Sequence, residues 1–382
     1  MTSVIVGYGR SAVTRGVKGS LAQTHPVDFG AEVLRGVVER LPGLDPAEID
    51  DVIVGCALPE ARLGLNPARN IVLRAGLPDV VSGLTVNRFC SSGLQAIATA
   101  SALIDAGMGD VIVAGGVEHM STPVLSDNPQ YQDPYLLEQT EAYIPMGLTA
   151  DNVARQWGIT RAEMEAMAVE SHARAAAAQE AGVFDRQIVP VTGQAPDGSP
   201  VTVTRDECVR AGTSAEKLAQ LKPAFGEDGL VTAGTSSPRS DGAAFVVVMS
   251  QAKAEAIGAT PLARVTGFAV AGVDPAYMGI GPVVAVPKLL ARLGRTLGDI
   301  AVIELNEAFA SQSIAVLREL GVSYQRVNVQ GGALALGHPL GATGAVLTIK
   351  AIEQLRGKGG GQALITMCVG GGMGAAGMIQ TV

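Results

Sequence analysis

A chain of 382 residues, 47% hydrophobic and 17% charged, carries too much apolar side chain for a disordered protein and is long enough for two packed domains or one duplicated one. Its net charge of −8, without a long basic run, excludes a nucleic-acid partner, because phosphate neutralisation needs clustered Lys and Arg. Apolar runs such as Ala243–Met249 fall far short of a bilayer span, so no membrane partner is expected.

The first ten residues read as a strand, at Val4–Gly7, followed by a turn. They lack the basic start and small-residue cleavage site of a signal peptide, and a cytoplasmic location is expected. Phe29–Arg40 reads as a helix and Asp51–Cys56 as a short β-branched strand. Leu84–Asn87 then leads as a strand into a helix at Ser92–Ala106, and Asp110–Gly115 is the strand that follows. Such alternation predicts a mostly parallel sheet covered by helices. The helix after Cys90 is apolar or small nearly all round (Leu94, Ala96, Ile97, Ala100, Leu103), which predicts a buried helix.

Between about residues 118 and 240 the texture changes to prolines, tyrosines and acidic residues, with an Ala-rich helix at Arg161–Ala181 and a polar stretch at Gly193–Pro200. This reads as an excursion from the framework, and such excursions often carry ligand contacts. From Pro261 the strand–helix alternation resumes. Val327–Val329, a Gly-rich turn, the helix Gly344–Leu355 and the strand Ala363–Cys368 repeat the order seen around Cys90, which predicts an internal duplication. The expected division is a first half over residues 1–117 rejoined by 241–258, a covering domain over 118–240, and a second half over 259–382.

Cys56, Cys90, Cys208 and Cys368 show no close-pair spacing, so neither a zinc site nor a disulfide framework is expected. Cys90 immediately precedes a helix, where free N–H groups and the helix dipole lower a thiol's pKa; the plain alternative is an inert buried cysteine. Of four histidines only His338 has a special setting, a Gly-His-Pro-Leu-Gly turn that would aim its imidazole rigidly. By itself it reads more readily as a structural histidine at a helix start. Cys368 ends a β-rich run and enters a glycine turn whose free N–H groups can hold an oxyanion, or it is a core cysteine. Asn306 and Glu307 follow the strand Ala301–Leu305; Asn306 could donate to a water or carbonyl and Glu307 orient a neighbour, or Asn306 is a helix cap.

Taken in order, NRFCSSGLQAI (Asn87–Ile97), GGVEHMS (Gly115–Ser121), VTAGTSSPRSDGA (Val231–Ala243), NEAF (Asn306–Phe309), GGALALGHPLGATG (Gly331–Gly344) and CVGG (Cys368–Gly371) resemble the thiolases, the acetyl-CoA C-acyltransferases, over essentially the whole chain. The resemblance implies an α/β fold of two like halves forming a five-layer α/β/α/β/α core under an inserted loop domain. It implies that Cys90 is the acylated nucleophile, that His338 activates it and that Cys368 is the second acid/base. Asn306 would hold a water that completes one oxyanion hole with His338, and the backbone N–H groups of Cys90 and Gly370 would form the other. Ser237 would contact the pantetheine of coenzyme A and Arg210 its nucleotide end, with Met146, Phe225, Ala308 and Phe309 as further substrate contacts. Coenzyme A is then a substrate, with no permanently bound cofactor and no metal. A homodimer or homotetramer is implied, with possible association with other β-oxidation enzymes.

Members specialised for acetoacetyl-CoA carry a histidine before Met-Gly in the loop domain; this chain has Pro145 there. Together with Thr85–Phe89 and Thr235–Ser237, that resembles the degradative branch, which cleaves longer 3-ketoacyl-CoA substrates. The alternatives are a biosynthetic acetoacetyl-CoA thiolase, a condensing ketoacyl synthase, and a non-catalytic thiolase-like subunit. Arg10–Arg15 departs from the family's Arg-Thr-Pro and loosens the resemblance only at the N-terminus.

Overall fold

A computed structural model describes all 382 residues. The first half runs through β1 (Ser3–Arg10), α1 (Pro26–Glu39), β2 (Asp51–Gly55), α2 (Pro67–Ala75), β3 (Ser82–Val86), α3 (Ser92–Asp105) and β4 (Val111–His119). The excursion contributes α4 (Met146–Gln156), α5 (Arg161–Glu180) and a small hairpin of Val191–Gln194 with Pro200–Val203, before β5 (Ser240–Ser250) returns to the framework. The second half comprises β6 (Ala263–Gly272), α6 (Gly281–Leu293), β7 (Val302–Leu305), α7 (Ala310–Leu320), α8 (Leu340–Gly357), β8 (Gln362–Val369) and β9 (Met373–Thr381).

Strand order across the molecule is β7-β8-β9-β6-β1-β5-β4-β2-β3. The sheets of the two halves are joined at the single pair Ile5–Ala263, so they touch at a corner. Each half repeats one order, β3-β2-β4-β5-β1 and then β7-β8-β9-β6. The sheets are mixed and not mostly parallel: only β3-β2-β4 and β7-β8 run parallel, while β5, β1, β9 and β6 join antiparallel.

The second-half counterpart of β3 is missing. Val327–Val329 does not form the expected strand, and only an isolated Ile303–Val327 bridge remains. Asn328 has φ 49°, outside the extended region, and its side chain takes over the pairing. Its Oδ1 accepts from the Leu305 N–H at 2.9 Å and its Nδ2 donates to the Leu305 carbonyl at 2.7 Å.

Alternation along the strands sorts the core into three apolar clusters, which makes five layers. Val113, Val117, Phe245 and Val247 face α1 and α2; Ile112, Ala114, Val246 and Val248 face inward to α3 and α8; Ile303, Leu305 and Met378 face α6 and α7. The stretch Pro275–Leu293 is long and apolar enough to cross a membrane by composition alone, yet its Ala285, Val286 and Leu289 are packed in the third cluster.

The two central helices cross at their N-terminal turns, and glycine makes this possible. A Cβ on Gly93 would lie 2.7 Å from the Gly341 carbonyl oxygen, and one on Gly116 would overlap that same oxygen. Adding a methyl group at such a seam costs about 1–3 kcal/mol and moves backbone. The excursion is fastened to both halves. Arg10 grips Asp206 through two hydrogen bonds of 2.7 and 2.8 Å in the interior, and Arg40 donates to the Ile188 carbonyl. On the other side the Ser171 hydroxyl donates to Glu307 at 2.6 Å.

Candidate active site

Four chemically capable side chains converge where α3, α8, β7 and β8 end or begin. Cys90 occupies the turn Phe89–Ser91 at the start of α3 and is 7% exposed. Phe89 holds φ 40°, a conformation that costs a bulky residue of order 1–3 kcal/mol and persists only when its surroundings enforce it. Here they do. The Asn87 Oδ1 accepts the Phe89 N–H at 2.8 Å, and the Ser92 hydroxyl donates to the Phe89 carbonyl at 2.6 Å.

Backbone N–H groups of Gly370 and of Cys90 itself lie against the sulfur and favour its thiolate. Burial outweighs them and pushes the Cys90 thiol up to about 11. This corrects the expectation of a depressed pKa: the helix start is present, but dehydration is the larger effect. The resting sulfur is protonated at neutral pH.

Cys368 lies near the end of β8, wholly buried, and its thiol is raised well above the usual value by desolvation and by the proximity of Cys90. The two sulfurs therefore share one pocket. Its mouth is marked by Gly370, within 4 Å of whose Cβ position lie the Phe89 ring and the Met146 sulfur.

His338 precedes Pro339, the cap of α8, and is 4% exposed. Its backbone N–H donates to the Ser240 hydroxyl at 3.1 Å, which donates in turn to the Pro238 carbonyl at 2.7 Å. The Thr343 hydroxyl donates to the Pro339 carbonyl at 3.0 Å, so its 2.6 Å contact with His338 Nδ1 assigns the ring proton to Nδ1. Nε2 is then free to accept, and the Asn306 Nδ2 donates to it at 3.2 Å. Burial lowers the imidazole to about 3, so it rests neutral, with the unprotonated Nε2 facing the Asn306 amide.

Asn306 is not a helix cap, since α7 starts at Ala310 with Phe309 as its cap. Its backbone pairs with the Thr366 carbonyl, and its buried Oδ1 has no partner, so it is open to a water or substrate donor. Glu307 points the other way. It accepts from Ser171, Tyr324 and Asn328 and fixes the strand end from behind.

The remaining expected contacts form an apolar wall and a distant rim. Ser237 donates its backbone N–H to the Ala308 carbonyl at 2.9 Å, and Ser236 bridges to Phe309. Phe225 and Phe309 stack edge to face with centroids 6.0 Å apart, and Phe225 lies over Gly147 beside Met146. Ala308, Phe309 and Cys368 belong to one apolar cluster, against which Met146 and Phe225 pack. Arg210 stands away from the sulfurs. With Arg15 and His172 it lines a small cleft beside Gly234 and Pro238. The Arg210 N–H donates to His172 Nδ1 at 3.1 Å, and burial together with the Arg210 charge lowers that imidazole to about 4.

Thr343, Ser240, His172 and Arg15 were not singled out from sequence. Thr343 and Ser240 lie inside quoted motifs, but their partners come from other elements and no local spacing announces them.

The model of the thiolase N-terminal domain matches residues 3–252, and that of the C-terminal domain matches residues 259–381. The 3-ketoacyl-CoA thiolase of Bacillus subtilis (strain 168) is 48% identical over 387 residues, spanning 99% of each chain. An acetyl-CoA acetyltransferase of Allochromatium vinosum is 42% identical, over 98% of this chain and 97% of its own. The crystal structure of the Bacillus anthracis acetyl-CoA acetyltransferase superposes with a TM-score of 0.92 at 42% identity, covering 100% of this chain and 99% of that one. With both domain models matched in order over nearly the whole chain, and full-length relatives at 42–48% identity, the chain belongs to the thiolase family.

Proposed function

We propose that the protein cleaves 3-ketoacyl-CoA thioesters with coenzyme A, releasing acetyl-CoA and a shortened acyl-CoA. What supports this reading is the pairing of His338 with Asn306 and the nearness of Cys90 to Cys368, with the Phe89–Ser91 turn packed against α8 and β8. Two thiols with a basic imidazole suit a reaction that needs a nucleophile and a separate proton carrier.

Cys90 passes its proton to His338 Nε2 as its sulfur attacks the 3-keto carbon. The bond between C2 and C3 breaks, and its electron pair leaves with the acetyl-CoA fragment as an enolate. A water held by Asn306 and the protonated His338 receive that enolate oxygen, and Cys368 donates its proton to C2. The acyl group remains on Cys90, its carbonyl oxygen facing the N–H groups of Cys90 and Gly370. Coenzyme A then gives its thiol proton to the Cys368 thiolate and attacks the acyl carbon. The released Cys90 sulfur recovers its proton from His338, so the cycle closes without net proton change. Because acyl transfer passes through a covalent intermediate, the kinetics are ping-pong.

The Met146, Phe225 and Phe309 wall supports an apolar acyl chain, and the Arg15, His172 and Arg210 cleft supports an anionic group at the far end of the substrate. Pro145, exposed at the start of α4, leaves that rim without the histidine expected of acetoacetyl-CoA specialists. A role in β-oxidation in the cytoplasm follows from this reading. The bare edge strand β3, with Ser82 and Leu84 exposed, supports a symmetric homodimer as the minimal unit and a tetramer built from it. The deciding experiment compares thiolysis of acetoacetyl-CoA with that of C8–C12 3-ketoacyl-CoA substrates. Higher kcat/KM on the longer chains is expected; preference for the C4 substrate overturns the degradative reading.

A further inference from the structure

One quoted motif, Gly115–Ser121, remains without a role in the chemistry above, and at its centre is a wholly buried carboxylate, Glu118. We infer that Glu118 is a positioning residue for the proposed cleavage, the central link of a hydrogen-bonded chain that holds the Cys90 turn and the His338 turn in register.

The chain can be followed atom by atom. Glu118 lies on the inward face of β4, two residues beyond Gly116, against which the start of α8 is seated. Its Oε2 accepts the Gly341 N–H at 2.8 Å, three residues past His338. The same oxygen accepts the Ala57 N–H at 2.8 Å from the loop after β2, and Oε1 lies 3.4 Å from the Leu58 N–H. The Ala57 carbonyl accepts the Asn87 Nδ2 at 3.0 Å, and the Asn87 Oδ1 accepts the Phe89 N–H at 2.8 Å. Phe89 is the residue with φ 40° immediately before Cys90. A single carboxylate thus couples a turn of the first half to a turn of the second through their backbone N–H groups.

Its surroundings are otherwise poor in charge. The titratable groups facing it are the Cys56 thiol, 3.8 Å away, and Cys90; Glu60 acts on Cys56 from the same side. Burial raises Glu118 to about 7, so it is fully ionised by the pH at which Cys90 titrates, and its charge there opposes formation of the Cys90 thiolate. His338 and Cys368 are the other titratable groups of that pocket. Placing a carboxylate where it disfavours the nucleophile's charge is what a requirement for geometry looks like: its three backbone contacts and one thiol contact are kept at an electrostatic cost.

The test uses Glu118→Gln, Asn87→Ala and the double variant in the full-length protein, on the functional reading given above. Glu118→Gln keeps its shape and loses its charge. Thiolysis kcat is expected to fall about 100-fold, the scale set by a 1 Å misplacement, with KM for both substrates within about twofold. Asn87→Ala, at an exposed position outside the buried cluster, is expected to lower kcat in the same direction and remains readable if Glu118→Gln fails to fold. The double variant should be no slower than the slower single, because both break one chain. Alkylation of Cys90 by iodoacetamide, followed by mass against pH, separates charge from geometry: its apparent pKa shifts down in Glu118→Gln, which removes a nearby negative charge, and stays put in Asn87→Ala, which does not. Wild-type kcat in either single variant, or multiplicative losses in the double, overturns the inference. If the wild type cleaves no 3-ketoacyl-CoA, the functional reading fails by itself, and limiting alkylation rates above that pKa that stay unchanged in both variants then overturn the inference by showing that the Cys90 turn has not moved.

Discussion

Cys90 and Cys368 carry the same atom into the same pocket on opposite kinds of backbone. Cys90 stands at the first turn of a helix, behind a strained Phe89, with two N–H groups against its sulfur. Cys368 lies in regular extended chain, paired with Gly374 across β8 and β9, and its sulfur meets apolar neighbours, the other thiol and only its own backbone N–H. The difference fits one sulfur to hold an acyl group beside ready oxyanion donors and the other to hold or release a proton. Burial keeps both neutral at rest, which leaves the neutral His338 as the base that starts the cycle.

The largest test of that contrast is Cys90→Ser, which is expected to abolish both half-reactions, by about 10⁴-fold or more in kcat, and to eliminate the mass increase seen when protein is incubated with acyl-CoA. A surviving adduct would transfer the nucleophile's role elsewhere. Cys368→Ser should separate the steps: cleavage of 3-ketoacyl-CoA falls by about 10²–10⁴-fold, the range of general acid–base effects, while slow acylation of Cys90 by a plain acyl-CoA persists. Equal losses in both assays would erase the distinction between the sulfurs.

Asn306→Ala removes the donor to His338 Nε2 and the proposed water site, and should lower kcat about 10²–10³-fold with little change in acylation by plain acyl-CoA. The smallest effect is on stability. His338 titrates near 3 in the fold against a usual 6.5, so below pH 6.5 the unfolded chain binds the extra proton and the native one does not. Its share of stability is therefore complete above pH 6.5 and drains away as pH falls toward 3, at about 1.4 kcal/mol per unit. Between pH 6.5 and 5.0 the wild type should lose about 2 kcal/mol more than His338→Asn in urea denaturation. Parallel losses would mean that the imidazole is hydrated and the pocket wetter than described.

His338 was legible in its Gly337–Pro339 turn, Cys368 ahead of a glycine turn, Cys90 at a helix start and Asn306 at a strand end, while their roles came from the resemblance of these motifs to the thiolases. The helix-covered framework and the buried helix after Cys90 were legible through alternation and apolar pattern, whereas the five layers came from the resemblance to the thiolases. What escaped depended on partners distant in the chain. Glu118 reads as one acidic residue in a strand, and only the approach of Ala57 and Gly341 gives it a role. Thr343 sets the His338 tautomer from the first turns of α8, a pairing that needs the turn's three-dimensional path. The Val327–Val329 strand failed for a related reason: Asn328 satisfies Leu305 with its side chain, and an alternating apolar pattern cannot reveal that substitution. The thiol pKa expected from the helix start was reversed by dehydration, a property of the assembled pocket.

The glycine contact between the two central helices sets out where this protein can be redesigned. Because bare backbone meets bare backbone at Gly93, Gly116 and Gly341, the seam between the central helices offers no side chain that can be exchanged without moving backbone. The apolar wall is built differently, from Met146, Phe225 and Phe309, flexible or aromatic groups that can be trimmed one at a time. A library aimed at new acyl groups belongs on that wall, and a selection that returns changes at the seam has traded turnover for something else.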